Sequence, residues 1–398
     1  MLQDITVLDL SRVLAGPYCT QLLADLGATV WKLEPLAGED TRRWGPPFTG
    51  GESAYYLSVN RGKQSLAVNL KDARGQEIVQ ALAARADVLV ENFKVGDLAR
   101  YALDYEGLQE VNPALIYASI TGFGQTGPRA REPGYDVALQ ALSGLMSMTG
   151  ESGREPVKLG VAWIDVLTGL HATVAILAAL HERQQSGLGQ HLDLSLFEVS
   201  LASLVNQVQS TLLTGRAPEP LGSAHPSIVP YQAFAAADGH LVIAVGNDDQ
   251  FERLCEVLEL PDLPLDPRFQ TNEERVKHRE LLIPRLQEVL ARKPRRAWLA
   301  LLQIAGVPAT PVNTLSEVLA DPQVAARSAV TNLSHPTIGS LPVISSPLRH
   351  ASRTPPPGAS PPPLLGQHTR DVLVSVLGLN PEEVNVLEQE GVVFCYRE

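Results

Sequence analysis

Hydrophobic and polar positions in the first 200 residues alternate between a strand pattern and a helix pattern. Short apolar runs predict strands at residues 5–10, 29–33, 65–70, 87–91, 114–119 and 191–196. Apolar positions at helical spacing predict helices at residues 19–26, 73–86, 166–185 and 201–213. Strands that alternate with helices in this way are typical of a parallel sheet, so the pattern predicts an α/β fold.

The pattern changes after residue 213. Residues 214–226 are rich in Gly, Pro and small side chains, which indicates a domain boundary. Beyond it, a strand at 241–245 and helices that begin at Asp248 and Leu281 predict a smaller α/β module. Six prolines in residues 354–363 predict an extended connector. Two helices, 369–377 and 381–390, follow it, and Asn380 is the expected N-cap of the second.

The first strand, helix and strand resemble the start of a dinucleotide-binding domain, with Glu34 where an acid would bind ribose hydroxyls. The connecting loop, residues 11–17, argues against that function. It has one glycine, Gly16, where such sites have several, and Pro17 has no N–H to donate. Gly16 and Pro17 are better explained as a turn and a helix start.

Composition and charge exclude several classes of partner. The 398 residues carry a formal net charge of −12, which disfavours nucleic acid and anionic membranes. Three distant cysteines, Cys19, Cys255 and Cys395, indicate neither a disulfide framework nor a thiolate metal site. The apolar run 172–180 is too short to cross a bilayer, and the acidic N-terminus does not suit an export signal. We expect a cytoplasmic protein without a metal.

Candidate chemistry lies in loops and at one helix start. The glycine-rich loop 121–128 follows a strand directly, where α/β sheets bind ligands, and a similar loop spans 148–153. Asp165 lies at or just before the start of the apolar helix, so it is either an N-cap or a nucleophile. An early group of cations is either a solvated face or a grip for a phosphorylated ligand: Arg12, Lys32, Arg42, Arg43, Arg61, Lys63 and Lys71.

Several motifs together carry a family resemblance that runs from Ile5 to about Val393. They are LAGP at 14–17, KLE at 32–34, DVLVENF at 87–93, GFGQTGP at 122–128, PGYD at 133–136, SGLM at 143–146, GLGQ at 187–190 with Asp193, and PLLGQHT at 363–369. With these motifs the chain resembles the class III coenzyme A transferases, a family that includes formyl-CoA transferase and the α-methylacyl-CoA racemases. Residues 44–48, 55–61, 225–234 and 361–365 resemble the succinyl-CoA:glutarate type.

The resemblance implies a mechanism, a fold and an assembly. Asp165 matches the family's catalytic aspartate, which forms an aspartyl-CoA thioester. The positions that match CoA contacts are Val13, Val68, Lys71, Asn92, Phe93, Arg100 and Tyr135. The implied fold is a Rossmann-like large domain, begun by residues 1–213 and completed by 316–398, with a small domain at 226–315. The implied assembly is an interlocked homodimer.

The resemblance also leaves alternatives open. Leu14 replaces a glutamine of formyl-CoA transferase, and the glycine-rich lid of that enzyme is missing near residues 223–228, which disfavours formyl-CoA. Tyr135 replaces the catalytic histidine of the racemases, and a phenol is a poor base at neutral pH. We expect CoA transfer to a dicarboxylic acid, with Arg43, His225 and Ser227 as candidates for its distal carboxylate. A racemase and a non-catalytic CoA-binding protein are the alternatives.

Overall fold

The structure is a computed structural model that describes residues 1–348 and 360–397. Residues 354–359 of the expected connector lie outside the described residues. The elements of the first part of the chain are β1 (Thr6–Asp9), α1 (Ala15–Asp25), β2 (Thr29–Glu34), β3 (Phe48–Thr49), β4 (Glu52–Ser53), α2 (Ala54–Val59), β5 (Lys63–Val68), α3 (Ala73–Ala83), β6 (Val88–Glu91), α4 (Tyr105–Val111), β7 (Ile116–Thr121), α5 (Asp136–Leu142), α6 (Leu145–Met148), α7 (Trp163–Ser186), β8 (His191–Ser195), α8 (Leu196–Ser203) and α9 (Val205–Thr214).

The remaining elements follow in two groups. The first group comprises β9 (Tyr231–Ala236), β10 (Gly239–Ala244), α10 (Asp248–Val257), α11 (Asn272–Lys277), α12 (Arg279–Leu290), α13 (Arg295–Ile304), β11 (Ala309–Pro311), α14 (Leu315–Leu319) and α15 (Pro322–Ala326). The second comprises β12 (Val330–His335), β13 (Gly339–Ile344), α16 (Thr369–Ser375), α17 (Pro381–Gln389) and β14 (Val393–Phe394).

Among the described residues the chain forms two compact units. The first contains Met1–Leu145, Leu159–Leu213 and Ala326–Glu398, and the second contains Met146–Lys158 and Thr214–Ala325. The second unit has its own apolar core, in which the sheet β11-β10-β9 packs against α10, α12 and α13. The domain limits at 213, 226 and 315 stay a prediction.

The first unit is built on a sheet of seven strands in the order β14-β5-β2-β1-β6-β7-β8. All neighbouring strands are parallel except β14, which is antiparallel to β5. The six parallel strands, numbered along the chain, lie in the order 3-2-1-4-5-6, which is the order of the Rossmann sheet. The predicted mixed α/β fold with a mainly parallel sheet is confirmed.

Apolar cores cover both faces of this sheet, as a parallel sheet requires. Leu8, Leu66 and Leu89 point to the face that carries α3, α4, α16 and α17. Val7, Val30 and Val88 point to the opposite face, against α1 and α7. Alternate residues of each strand are therefore buried on opposite sides, which explains the nearly continuous apolar runs.

Helix α7 is long and apolar enough to span a membrane by length and composition, and 44% of its most apolar window is buried inside the protein. It packs against α1, α5 and α8 and the strands β7 and β8. The core helix of a water-soluble protein has the same composition.

Two predicted helices need correction, and two strands were missed. The single helix expected at 201–213 is interrupted after Ser203, because Val205 adopts a positive φ of 33° and starts the separate helix α9. Strands β9 and β11 were not predicted, since β9 is rich in alanine and β11 has only three residues. Helix α7 begins at Trp163, three residues earlier than expected. The two C-terminal helices are confirmed, with Asn380 in a capping box with Glu383.

Candidate active site

The site lies at the carboxyl ends of β1 and β6, the neighbouring strands at which the strand order reverses. Open α/β sheets bind ligands in the crevice at this point. Two loops meet there through Asn92, whose side-chain oxygen accepts the Arg12 N–H at 3.0 Å and whose amide donates to the Arg12 carbonyl at 2.7 Å. Val13 has a φ of 72°. The structure therefore brings together Val13, Asn92 and Phe93, three of the residues expected to contact CoA.

The other expected CoA contacts lie in different surroundings. Lys71 is exposed beyond the end of β5, whereas Val68 is only 1% exposed, so its side chain and its main chain are both covered by the protein. Arg100 is exposed and stacks over the Tyr101 ring at 4.7 Å. Tyr135 is 70% exposed at the start of α5. All of these residues belong to the first unit, and their roles stay predictions.

Four of the early cations, Lys32, Arg42, Arg61 and Lys63, are buried and form ion pairs within the protein, so they are not a solvated face. Lys63 donates to Asp9 at 3.0 Å and to the Pro17 carbonyl at 2.9 Å. Lys32 donates to the Ser11 carbonyl at 3.1 Å and pairs with Glu39. The other two buried cations also form ion pairs, Arg42 with Glu34 and Glu52, and Arg61 with Asp25. We call Asp9, Lys32, Glu34, Glu39, Arg42, Glu52 and Lys63 the buried ion network.

Glu34, the residue that resembles a ribose-binding acid, is part of this network. Its carboxylate accepts two hydrogen bonds from Arg42, both at 2.7 Å, and one from the Ser65 hydroxyl at 2.8 Å. Burial would raise the pKa of Glu34, but Arg42 outweighs it and lowers that pKa. The carboxylate is fully engaged within the protein, which explains why its position near the end of β2 does not make a dinucleotide site.

Close backbone contacts at three glycines bring the candidate residues together. A Cβ at Gly169 of α7 would lie 2.7 Å from the Ala15 carbonyl oxygen, so the glycine lets α7 approach the start of α1. A Cβ at Gly122 would lie 2.6 Å from the Cα of Gly134, so the loop after β7 packs backbone to backbone on the segment before α5. Larger side chains at these positions would displace Asp165 or Asp136.

Asp136 was not identified from the sequence, and it caps α7. Its Oδ1 accepts the N–H groups of Ile164 at 2.8 Å and Asp165 at 3.3 Å. These two N–H groups are among those left unpaired at a helix start. Asp165 is therefore not the N-cap. It lies in the first turn of α7, and its side chain is free for other chemistry.

The Asp165 carboxyl group is partly exposed to solvent but largely surrounded by protein atoms. Burial, with a smaller contribution from the charge of Asp136, raises the pKa of Asp165 to about 7. Because burial disfavours its ionised form, the Asp165 carboxylate is a stronger base and nucleophile near neutral pH than an ordinary carboxylate.

Two aromatic residues of the first unit complete the surroundings of Asp165. The Tyr55 and Trp44 rings meet edge to face at 5.3 Å. Burial and the charges of Asp165, Asp136 and Glu39 raise the pKa of Tyr55 to about 12, so the phenol remains a hydrogen-bond donor at neutral pH. Glu39 in turn accepts the Val13 N–H at 3.1 Å, which links the surroundings of Asp165 to the loop at 11–14.

Two N–H groups of the glycine-rich loop at 121–128 are hydrogen-bonded within the protein. The Gly124 N–H donates to the Thr121 hydroxyl at 3.0 Å, and the Gln125 N–H donates to Asp193 at 2.9 Å. Both donors are used to fold the loop. The protonated phenol of Tyr55 is another hydrogen-bond donor, and it lies close enough to Asp165 for the charge of that carboxylate to raise its pKa.

The three candidates for a distal carboxylate lie in different units. Arg43 is exposed in the first unit, and within residues 1–348 and 360–397 it forms no ion pair. His225 and Ser227 lie in the second unit, where the Ser227 N–H donates to His225 Nδ1 at 3.0 Å and Arg279 holds the Pro226 carbonyl at 2.8 Å. In the described part of the chain no three His, Cys, Asp or Glu side chains are grouped as metal ligands.

The influence of Asp136 on Asp165 can be measured directly. We expect Asp136→Asn to lower the pKa of Asp165 by about one unit, because the amide keeps the cap but removes the negative charge. Carbon-13 NMR of labelled aspartates, assigned with Asp165→Asn, reports that pKa. Glu132→Gln, which removes an exposed charge from the same loop region, should leave it unchanged. An unchanged pKa in Asp136→Asn would mean that burial alone sets the acidity.

Comparison with known proteins adds four findings. The family described as CoA-transferase family III matches residues 2–369. The chain is 45% identical over 393 residues to succinyl-CoA:glutarate CoA-transferase of Homo sapiens, covering 98% of this chain and 90% of the relative. It is 45% identical over 382 residues to succinate–glutarate CoA-transferase of Agrobacterium fabrum, covering 94% and 95%. The crystal structure of a CAIB/BAIF family protein from Brucella suis matches with a TM-score of 0.84 and 43% identity, covering 93% of this chain and 97% of that one.

Proposed function

The chain belongs to CoA-transferase family III, and from this premise we propose that it moves CoA between two dicarboxylic acids through a thioester formed on Asp165. The observation that carries the role of Asp165 is its carboxyl group, partly exposed in the first turn of α7 and of reduced acidity. The names of the human and Agrobacterium relatives, which contain succinate and glutarate, support a dicarboxylic donor and acceptor.

The proposed reaction has two symmetrical halves. The Asp165 carboxylate attacks the thioester carbonyl of the donor, CoA leaves as a thiolate, and a mixed anhydride forms. The thiolate then attacks the aspartyl carbonyl and releases the donor acid, which leaves an aspartyl-CoA thioester. The acceptor carboxylate attacks that thioester, and the thiolate attacks the acceptor carbonyl of the new anhydride. Asp165 is regenerated, and no net proton is gained or lost.

Residues around Asp165 support these steps. The Tyr55 phenol, which stays protonated at neutral pH, can donate to the oxyanion of each tetrahedral intermediate. Asp136 takes the N–H groups at the start of α7, so they do not stabilise the Asp165 carboxylate in its resting state. Transfer to aspartate needs no general base, which agrees with the exposed phenol of Tyr135 where a racemase has histidine. The named relatives are transferases, and this favours transfer over racemisation.

A two-substrate assay tests the proposed function. Incubation with succinyl-CoA and glutarate should yield glutaryl-CoA and free succinate, separated by liquid chromatography. If no member of a panel of dicarboxylic acids accepts CoA from succinyl-CoA or glutaryl-CoA, the proposed substrate class is wrong.

Arg43 is proposed to bind the distal carboxylate of the acceptor, because its guanidinium is exposed and forms no ion pair with the described residues. We expect Arg43→Ala to raise the KM for glutarate by about tenfold to a hundredfold, the value of a hydrogen bond to a charged group. The KM for a monocarboxylate such as butyrate should not change. Arg85→Ala, which removes an exposed arginine from the turn after α3, is the control. An equal loss for both acids would exclude this role.

We also propose that a second copy of the chain covers an apolar face of the first unit. Val137, Trp163, Leu170, Val174 and Leu201 are between 38% and 67% exposed on the neighbouring helices α5, α7 and α8. Exposed apolar groups on packed helices are typical of an interface. Light scattering should give twice the 42.9 kDa of one chain, and a mass of one chain would contradict the proposal.

A further inference from the structure

Strand β6 ends in a buried carboxylate directly beneath the loop that carries Asn92 and Phe93. Glu91 is 5% exposed, and its Oε2 accepts the Phe93 N–H at 2.7 Å. Asn92 fastens the outer side of the same loop to Arg12. The backbone of the loop is therefore held from outside by Asn92 and from inside by Glu91.

A second layer of residues holds Glu91. Ser119 lies opposite it on β7, and the Ser119 hydroxyl favours the charged form of the carboxylate. The same hydroxyl lies 2.9 Å from Nε2 of His191. The His191 ring is stacked on Tyr105 at 5.0 Å and meets the Tyr117 ring edge to face at 5.4 Å. His191, Ser119 and Glu91 thus form a chain of polar groups that ends at the Phe93 N–H.

Glu91 makes no ion pair with any residue in the described ranges 1–348 and 360–397. Burial raises the pKa of Glu91 to about 7, against the hydrogen bonds from Ser119 and the Phe93 N–H. A small cavity of about 50 Å³ adjoins it, and Lys94, Asp104 and Glu106 also line that cavity. A buried carboxylate without a cation lowers the stability of the folded protein, and a leucine at the same position would not have this effect. Its place under the loop indicates what it does.

We propose that Glu91 is a positioning residue for acyl-CoA, which acts through the Phe93 N–H to fix the Asn92–Phe93 loop in its binding conformation, with Ser119 and His191 holding Glu91 in place. The inference rests on the proposed function, because CoA binding by this loop is part of it. Glu91 itself touches neither substrate nor Asp165, so its loss should weaken CoA binding and leave the chemical step nearly unchanged.

The experiment measures the Kd for CoA by titration calorimetry and kcat at saturating succinyl-CoA. We expect Glu91→Ala to raise the Kd about tenfold and to change kcat by less than threefold. Glu91→Gln should restore the Kd to within threefold of wild type, because its amide oxygen can accept the Phe93 N–H. Glu106→Gln, which changes another acid at the same cavity, should leave the Kd unchanged. A merely structural role would lower stability without this pattern in the Kd.

The remaining outcomes are also decisive. A folded Glu91→Ala with the Kd of wild type overturns the inference, and so does a Glu91→Gln that binds as poorly as Glu91→Ala. If Glu91→Ala does not fold, Ser119→Ala provides the test instead. It removes the hydroxyl that holds Glu91 but replaces no residue of the Asn92–Phe93 loop, and it should raise the Kd for CoA about threefold. An unchanged Kd in Ser119→Ala then overturns the inference. Calorimetry needs no turnover, so a wild type that binds CoA but transfers none contradicts the proposed function alone.

Discussion

Asp165→Ala should lower kcat by about 10³-fold or more and abolish the covalent CoA adduct, because the nucleophile of both half-reactions is gone. Brief incubation of wild type with succinyl-CoA, followed by intact-protein mass spectrometry and peptide mapping, should show CoA on the peptide that contains Asp165. Asp136→Asn keeps Asp165 and is the matched control, which should still form the adduct. An adduct on another peptide, or residual transfer by Asp165→Ala at the wild-type rate, would exclude the proposed nucleophile.

The stability of an Asp165 variant distinguishes a nucleophile from a residue that stabilises the fold. The pKa of Asp165 is raised from its ordinary value of 3.8 to about 7, so the folded chain binds the proton more tightly than the unfolded chain. The resulting stabilisation is fully present below pH 4 and is lost as the pH rises through 7. At pH 8, Asp165→Asn should therefore be more stable than wild type, by about 2 kcal/mol after allowance for partial exposure. If Asp165 served only as a helix cap, Asp165→Asn would leave the stability nearly unchanged, because Asn caps a helix about as well as Asp.

The pH dependence of catalysis follows from the same pKa. The nucleophile must be ionised, so kcat/KM for the donor should rise with pH and reach half its plateau near pH 7. In Asp136→Asn this midpoint should move to lower pH together with the pKa measured by NMR.

The sheet could be predicted from the sequence because both of its faces are buried. Strands such as Val88–Glu91 and Ile116–Thr121 are buried along their whole length and mostly apolar, and each is followed by a loop or helix signal. Helix α7 was predicted from its apolar length, but its start was set three residues too late. The cap is supplied by Asp136, 29 residues before Asp165, and no local pattern reveals a cap from so far along the chain.

The site could be predicted only in part, for the same reason. The resemblance pointed to Asp165, Val13 and Asn92, and the structure brings Val13 and Asn92 together through contacts at a separation of 80 residues. Tyr55, Trp44 and Asp136 were not assigned, although they occur in segments that carried the resemblance. The sequence did not show which charged residues are buried. Lys63 and Arg42 occur in the same early group of cations as the exposed Lys71 and Arg43, yet they lie in the interior.

Lys63→Met should destabilise the protein by about 3–5 kcal/mol, because it leaves the buried Asp9 carboxylate with one cation fewer. Both Lys63 and Asp9 have side chains with no solvent exposure. Lys63 also donates to the Pro17 carbonyl and to Asn60 at 2.9 Å, and both acceptors would lose their donor. Urea unfolding measures the loss, and Lys71→Met, which removes an exposed lysine after the same strand, should change stability by less than about 0.5 kcal/mol.

The stability lost in Lys63→Met should depend on pH, because Asp9 and Lys63 are both ionisable. Burial would raise the pKa of Asp9, but Lys63 and Lys32 outweigh it and lower that pKa. Burial, with a smaller contribution from the charge of Lys32, lowers the pKa of Lys63 to about 8 against the opposing effect of Asp9. The stabilisation from ionised Asp9 is present above pH 4 and lost as the pH falls through its lowered pKa, so the stabilities of wild type and Lys63→Met should converge in acid.

A double variant, Asp9→Leu with Lys63→Met, should recover part of the loss of stability at pH 7, because it leaves no carboxylate without its partner. If the double variant is less stable than Lys63→Met alone, the Asp9 carboxylate is stabilised by its other donors, the Ser11 N–H and the Ser11 and Thr20 hydroxyls, and the loss of Lys63 does not leave it uncompensated.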